Sequence, residues 1–287
     1  MLAMVTLQEL QALDLVLWLQ TGERAAELAI TTQSTISRRS RATLEQFGLR
    51  LQRTPDGWRA SGDHQLVGME RQLHQRARLS GRQPLRLQVP FWTRCATLRQ
   101  LPEGWCANPP ASALVCNNPV ELLRQRVIDA CLLTSCQLPT ETDDLLLLEL
   151  YGRPIELTLF PRRAAADAKQ DFQRQREGGT LHLEHMPFLP RSCCDNAVSL
   201  FSQLTAEASG PARSADRHSP PPEPEQFSIA FLTAEMREAQ HKPWTVDAGF
   251  DPYPYVERLA VLAEHAREPA VQRLQEVLLE RFAPLNT

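Results

Sequence analysis

Glycine is scarce in this chain, at 12 of 287 residues, and the sequence contains no Gly-rich phosphate loop, no Gly-x-Ser-x-Gly elbow and no His-Glu-x-x-His pair. Those absences remove the legible signatures of nucleotide-dependent, hydrolase-elbow and zinc-protease chemistry, so no enzymatic activity is expected. The seven cysteines (Cys95, Cys106, Cys116, Cys131, Cys136, Cys193 and Cys194) are odd in number and form no Cys-x-x-Cys pair. A disulfide scaffold is therefore excluded in favour of buried thiols, and no cofactor or metal is expected. Long hydrophobic runs are missing too. The apolar stretch 7–19 is interrupted by Glu9 and Asp14 and is followed by no small-residue cleavage site, and no segment is long enough to span a bilayer. The expectation is a cytoplasmic protein with no membrane partner.

Two constellations resemble chemistry and are read otherwise. His182, His185, Cys193 and Cys194 lie close together and are of the types that zinc and copper favour. Adjacent cysteines seldom ligate one ion without strain, so packing roles are expected. The acidic run 141–144, beside Pro139 and Thr140, is read as a solvated loop rather than a pair of working carboxylates.

What is present is an ordinary soluble composition, 43% hydrophobic and 23% charged, in a length that suits about two domains. The formal net charge of −3 argues against a polyanionic partner only if charge is evenly spread, and it is not. Arg38, Arg39, Arg41, Arg50, Arg53 and Arg59 are opposed in their own stretch by Glu45 and Asp56 alone, whereas Glu141, Asp143, Asp144 and Glu149 make the middle of the chain acidic.

The basic stretch has an internal order. Leu7, Leu10, Leu13, Val16 and Leu17 recur at helical spacing behind a Thr6-x-x-Glu9 capping box, with Thr21-Gly22 read as the stop. A short helix over 23–29 follows, its Ala25, Ala26 and Ala29 small enough for close helix crossing. Thr31 and Thr32 make the turn and cap a helix over 33–47, whose inward face is Ile36, Ser40, Thr43, Leu44 and Phe47. Residues 49–53 then alternate as a strand, 54–57 (Thr-Pro-Asp-Gly) turn, and 58–60 return. Helix, turn, helix and basic hairpin in that order make a winged helix-turn-helix. Gln33, Ser34, Thr35, Ser37, Arg38 and Arg41 are left for base edges and phosphates of double-stranded DNA, with Arg53 and Arg59 on the wing. The plainer alternative is a small helical domain whose arginines only solvate its surface.

Ala25-Ala26-Glu27, then Thr32-Gln33-Ser34-Thr35-Ile36-Ser37-Arg38, then Leu44-Glu45, Gly48 and Leu51, resemble the N-terminal signature of the LysR-type transcriptional regulators. In that family Ala-Ala-Glu, a Ser-Gln-Pro-Ala-Leu-Ser-Arg-like run and Leu-Glu-x-x-x-Gly appear in the same order. The resemblance implies DNA contacts for Gln33, Ser34, Ser37 and Arg38 and a wing contact for Arg53. Ser34 stands where proline is usual, Leu28 and Ala29 shift an apolar position by one, and the usual Ser-Phe before Arg24 is missing.

After the head, Leu66, Met69, Leu73 and Ala77 form a narrow helical stripe within 62–80 that needs a partner helix. The resemblance makes this a linker helix that forms a homodimer or homotetramer. Beyond the hinge 80–84, strands are read at 85–90, 113–116, 130–134, 145–150 and 155–160, and a helix at 119–127 capped by Asn117 or Asn118. Alternation of strands and helices implies an α/β fold with parallel strands. The resemblance implies a periplasmic-binding-protein-like effector domain over 84–287. It holds a small-molecule effector near Thr93, Thr134 and Ser135, beyond strand carboxyl ends. The second subdomain reads as reduced: a strand at 181–189, a helix at 196–204, and a Pro- and Ser-rich stretch at 208–226 expected to be a disordered insertion. A strand at 227–232, one at 255–263 and a helix at 269–282 close the chain. The fold class is thus α/β overall, with a winged helix-turn-helix at 1–61. An alternative reading, prompted by the near-balanced charge of the first sixty residues and the eroded second lobe, is a ligand-binding or protein-interaction module without productive DNA recognition.

Overall fold

Three helices and a hairpin form first, and each starts where a hydroxyl can cap it. The computed structural model describes residues 5–54, 57–90, 101–108, 118–134, 137–161, 174, 183–185, 227–232, 246–247 and 253–283. Helix α1 (Leu7–Leu19) opens on the complete Thr6/Glu9 capping box, and Glu9 is held below the usual carboxylate range by the Thr6 backbone N–H and hydroxyl it accepts from. Helix α2 (Gly22–Leu28) is capped by Thr21, and α3 (Gln33–Gln46) by Thr32. Strands β1 (Arg50–Thr54) and β2 (Gly57–Ser61) pair antiparallel with Leu51 opposite Ala60 and Arg53 opposite Trp58. Two details differ from expectation. Thr21-Gly22 does not stop α1: Gln20 does, in a left-handed conformation with φ 65°, and Gly22 already belongs to α2. The first helix also lacks a single inward stripe, because Leu10 and every residue from Ala12 to Leu19 are buried, as befits a helix packed on several sides at once.

The chain divides into two compact units, Met1–Tyr151 with Val256–Thr287, and Gly152–Tyr255. In the first unit β3 (Leu85–Gln88) lies parallel to both β4 (Trp105–Ala107) and β5 (Ala130–Thr134). Strand β10 (Tyr253–Leu262) runs antiparallel to β5, with Leu259 opposite Leu132. The expected all-parallel sheet is therefore mixed, because the last strand returns from the other direction. Helix α5 (Pro119–Arg124) takes Asn118 as its cap, the side chain accepting from Val120 and Glu121, and α6 (Pro269–Phe282) closes the unit. In the second unit β6 (Leu145–Pro161), which begins in the first, pairs antiparallel with β8 (Phe227–Leu232) and β9 (Val246–Asp247). Strand β7 (Leu183–His185) lies parallel to β8. The two strands read at 145–150 and 155–160 are this one strand: Gly152 and Pro154 look like punctuation, but proline's fixed φ suits extended chain wherever no ladder bond needs its N–H. The strand expected at 113–116, the helix at 196–204 and the insertion at 208–226 lie outside the described residues, as do Pro55 and Asp56 of the hairpin turn.

The larger apolar cluster of the first unit takes Leu13, Val16 and Trp18 from α1, Ala25 and Ala26 from α2, Ile36 from α3, Leu123 from α5, Leu133 from β5 and Ala260 from β10, and a smaller one gathers Leu10, Leu49 and Val67. Burying each large aliphatic side chain contributes about 1.5–3 kcal/mol. The helical head and the sheet thus share the larger of the two clusters. Trp18 reinforces the join by donating its indole N–H to Gln88 Oε1 at 2.7 Å.

Helix α4 (Gln65–Leu79) is oriented against its own hydrophobicity. Its buried side chains are Val67, Arg71, His74, Gln75 and Arg78, while Leu66, Met69 and Leu73 are 58%, 69% and 64% exposed. The inward face is held by charge. Arg71 donates to Asp14 of α1 at 2.8 Å. Asp129, just before β5, accepts both Nε and Nη2 of Arg78, the backbone N–H of Arg86 and the Gln75 carboxamide. Burial opposes the Arg78 charge, but Asp129 more than offsets it and its pKa lies above the ordinary value. Arg86, likewise buried and beside the like charge of Arg78, is pushed down to about 10. Gln75 continues the chain of bonds to His265 Nε2 at 2.9 Å, and burial holds that imidazole below its ordinary pKa.

Removing one partner of a buried pair leaves an uncompensated charge and costs about 3–5 kcal/mol. Asp129→Asn is expected to lower stability by roughly 3 kcal/mol in urea unfolding. A loss no larger than that of an exposed ion pair would mean the cluster does not hold α4 in place.

Candidate nucleic-acid interface

The exposed surface of α3 is what remains after its inward face is spent. Ile36, Ser40 and Thr43 are buried and Leu44 and Phe47 half-buried, as their spacing requires. Gln33, Ser34, Ser37, Arg38 and Arg41 are left exposed, and Thr35 half-buried. At the helix N-terminus the Thr32 hydroxyl accepts from the Thr35 N–H at 3.3 Å and lies 3.0 Å from Ser34 Oγ and 2.9 Å from Thr35 Oγ1. Three hydroxyls therefore gather on the first turn, where unpaired backbone N–H groups favour an anion. Ser34, Ser37, Arg38, Arg41, Ala42 and Glu45 line an open depression of about 430 Å³ along the same face. Arg39 is turned away, donating to Gln8 Oε1 at 2.6 Å, which ties α3 to α1.

Gly22 keeps α2 close to this surface. A Cβ at Gly22 would lie 3.2 Å from Cγ of Gln33, so the glycine leaves room for the one carboxamide on the first turn of α3. On the hairpin, Arg53 and Arg59 are exposed, and the Arg53 guanidinium sits 5.9 Å from the centroid of the Trp58 indole. Trp58 is anchored by Gln20: the Trp58 N–H donates to Gln20 Oε1, and Gln20 Nε2 donates to the carbonyls of Leu17 (2.5 Å) and Trp58 (3.4 Å). Gln20 and Trp58 were not singled out from the sequence. The one local signal was a long polar residue, rather than glycine, directly ahead of Thr21-Gly22.

Of the three residues expected near an effector, Thr93 and Ser135 lie outside the described residues. Thr134 is buried at the carboxyl end of β5, with its N–H and hydroxyl both directed at Gln137 Oε1. The acidic run 141–144 is engaged structurally: Arg124 grips both carboxylate oxygens of Asp144 at 2.8 Å and the Glu141 carbonyl, and this holds the Asp144 carboxyl below its usual range. Among the described residues no cluster of His, Cys, Asp and Glu could hold a metal, and His182, Cys193 and Cys194 lie outside them. Cys131 is buried and Cys106 half-buried, both as free thiols whose pKa burial raises. Among the described residues no helix is long and apolar enough to cross a membrane.

No protein-family model and no curated protein sequence matches the chain. Solved structures do resemble it over nearly its whole length. A full-length OxyR variant from Pseudomonas aeruginosa is 16% identical, with 98% of this chain and 95% of that one covered and a TM-score of 0.46. ArgP from Mycobacterium tuberculosis is 14% identical, with 96% of each chain covered and a TM-score of 0.49. The full-length LysR-type regulator LysG from Corynebacterium glutamicum with bound effector Arg is 14% identical, with 97% and 98% covered and a TM-score of 0.41.

Proposed function

We propose that this protein is a sequence-specific DNA-binding transcriptional regulator of LysR type, a divergent one with a reduced second effector lobe. The observation that carries the reading is the exposed face of α3, where Gln33, Ser34, Ser37, Arg38 and Arg41 stand together behind a hydroxyl-rich N-terminus, with Arg53 and Arg59 on the adjoining hairpin. Residues 1–61 are a winged helix-turn-helix in this reading. The first turn of α3 enters the major groove, where Gln pairs with adenine edges and Arg with guanine edges, while the wing arginines take phosphates. Thr35 serves both ends, capping the helix through Thr32 and facing the groove.

The α4 stripe supports the oligomer. Leu66, Met69 and Leu73 are spaced three and four apart and exposed, which is the seam of a helix waiting for another helix. A second copy of the chain covers it, and the resulting two-fold dimer, or a tetramer of two such dimers, reads a two-fold-related operator. Residues 84–287 act as the effector-like domain, with a small molecule near Thr93, Thr134 and Ser135 shifting the relative geometry of the heads. No enzymatic step and no cofactor enter this account, and its setting is cytoplasmic.

In gel-shift titrations on the DNA upstream of its own gene, Arg38→Ala is expected to weaken binding by about 1–3 kcal/mol. Unchanged affinity and unchanged salt dependence would contradict the reading. In sedimentation equilibrium the wild-type chain is expected as a dimer or tetramer and Met69→Glu/Leu73→Glu as a smaller species. An unaltered mass would remove α4 as the contact.

A further inference from the structure

We infer that Gln20 is the positioning residue of the wing: its buried carboxamide serves as a one-residue third strand that fixes Trp58, and through Trp58 the phosphate-seeking Arg53. The inference rests on the DNA-binding reading above.

Gln20 occupies φ 65°, ψ −3°, a conformation that glycine adopts freely and a long L side chain rarely does. If the position served only to end α1, glycine would be the better residue. Instead the side chain turns inward and is 4% exposed. Its oxygen accepts from the Trp58 N–H, and its nitrogen donates to the Trp58 carbonyl and to that of Leu17. Engaging both the N–H and the C=O of one residue is what the opposite residue of a neighbouring antiparallel strand does. Strands β1 and β2 make a two-stranded sheet that packs Leu51 and Ala60 on the helices, and Gln20 adds a side-chain partner for the outer edge of β2 at Trp58. Arg53 pairs directly with Trp58 across the hairpin and lies over its ring. The line of contact therefore runs from the end of α1 to Trp58 and on to Arg53. A left-handed φ at a non-glycine residue whose side chain makes specific bonds is the pattern expected of a functional constraint.

The test uses the full chain and a mixed-sequence duplex of roughly 40 base pairs, which reports phosphate contacts through the salt dependence of affinity. Gln20→Gly keeps the left-handed conformation and removes the carboxamide, and Gln20→Asn keeps that conformation and an amide that is one methylene too short. Both are expected to unfold at or near the wild-type temperature. Both should speed hydrogen exchange across the 50–61 hairpin at least tenfold and lower the slope of log affinity against log salt by about 0.9, as the loss of one phosphate contact does. Arg53→Ala should lower the slope equally in the wild type and no further in the Gln20→Gly background, whereas Arg38→Ala should cost the same factor in both. Unchanged hairpin exchange, or an Arg53→Ala effect that persists in full without the Gln20 carboxamide, would overturn the inference. If Arg38→Ala and Arg53→Ala both leave binding unchanged, the DNA-binding reading fails, and the inference fails with it as a statement about DNA. The exchange result then decides the Gln20–Trp58 clamp alone.

Discussion

Asp129 and Asp14 are the two carboxylates on which the first unit depends. Between them they hold three buried guanidiniums, those of Arg71, Arg78 and Arg86, and so connect α1, α4, β3 and the start of β5. One guanidinium in this cluster exceeds the carboxylates available, and burial together with the neighbouring Arg78 charge draws the Arg86 pKa down to about 10. Such a cluster is not evidence of great stability, because desolvating the charges offsets much of their attraction. What it supplies is a single permitted arrangement, since a shifted α4 would part Arg71 from Asp14 and Arg78 from Asp129 among buried side chains.

That constraint explains the orientation of α4. With its charged face committed inward, α4 has no choice but to leave Leu66, Met69 and Leu73 outside. The helical head and the α/β sheet also share one core, so Leu13 of α1 and Leu133 of β5 belong to the same apolar cluster.

Local signals in the sequence marked the elements well wherever a cap or a period was intact. Thr6 with Glu9, Thr32 ahead of Gln33, and Asn118 ahead of Pro119 all act as read, and α1, α3, α4, β5, β10 and α6 fall within a few residues of their expected positions. Failures arise where the deciding partner is far away in sequence. Arg71 meets Asp14 across 57 residues and Arg78 meets Asp129 across 51, so nothing near α4 reveals the carboxylates that hold the face opposite its apolar stripe. Strand β4 was missed because Trp105-Cys106-Ala107 is too short to show alternation. The exposed α3 residues were legible from the inward face alone. Gln20 was not, because the backbone it binds lies 38 residues ahead.

DNA recognition in this account begins at the Thr32 cap, passes along Gln33 to Arg41, and extends to Arg53 through the Gln20–Trp58 contact. Its central claim is that a two-fold oligomer reads a particular sequence in duplex DNA. Chromatin immunoprecipitation followed by sequencing tests that claim most directly. The account predicts a small set of sharply enriched sites that share an inverted repeat with half-sites about one helical turn, or a multiple of it, apart. Enrichment spread evenly over the genome, or none above a mock control, would contradict it.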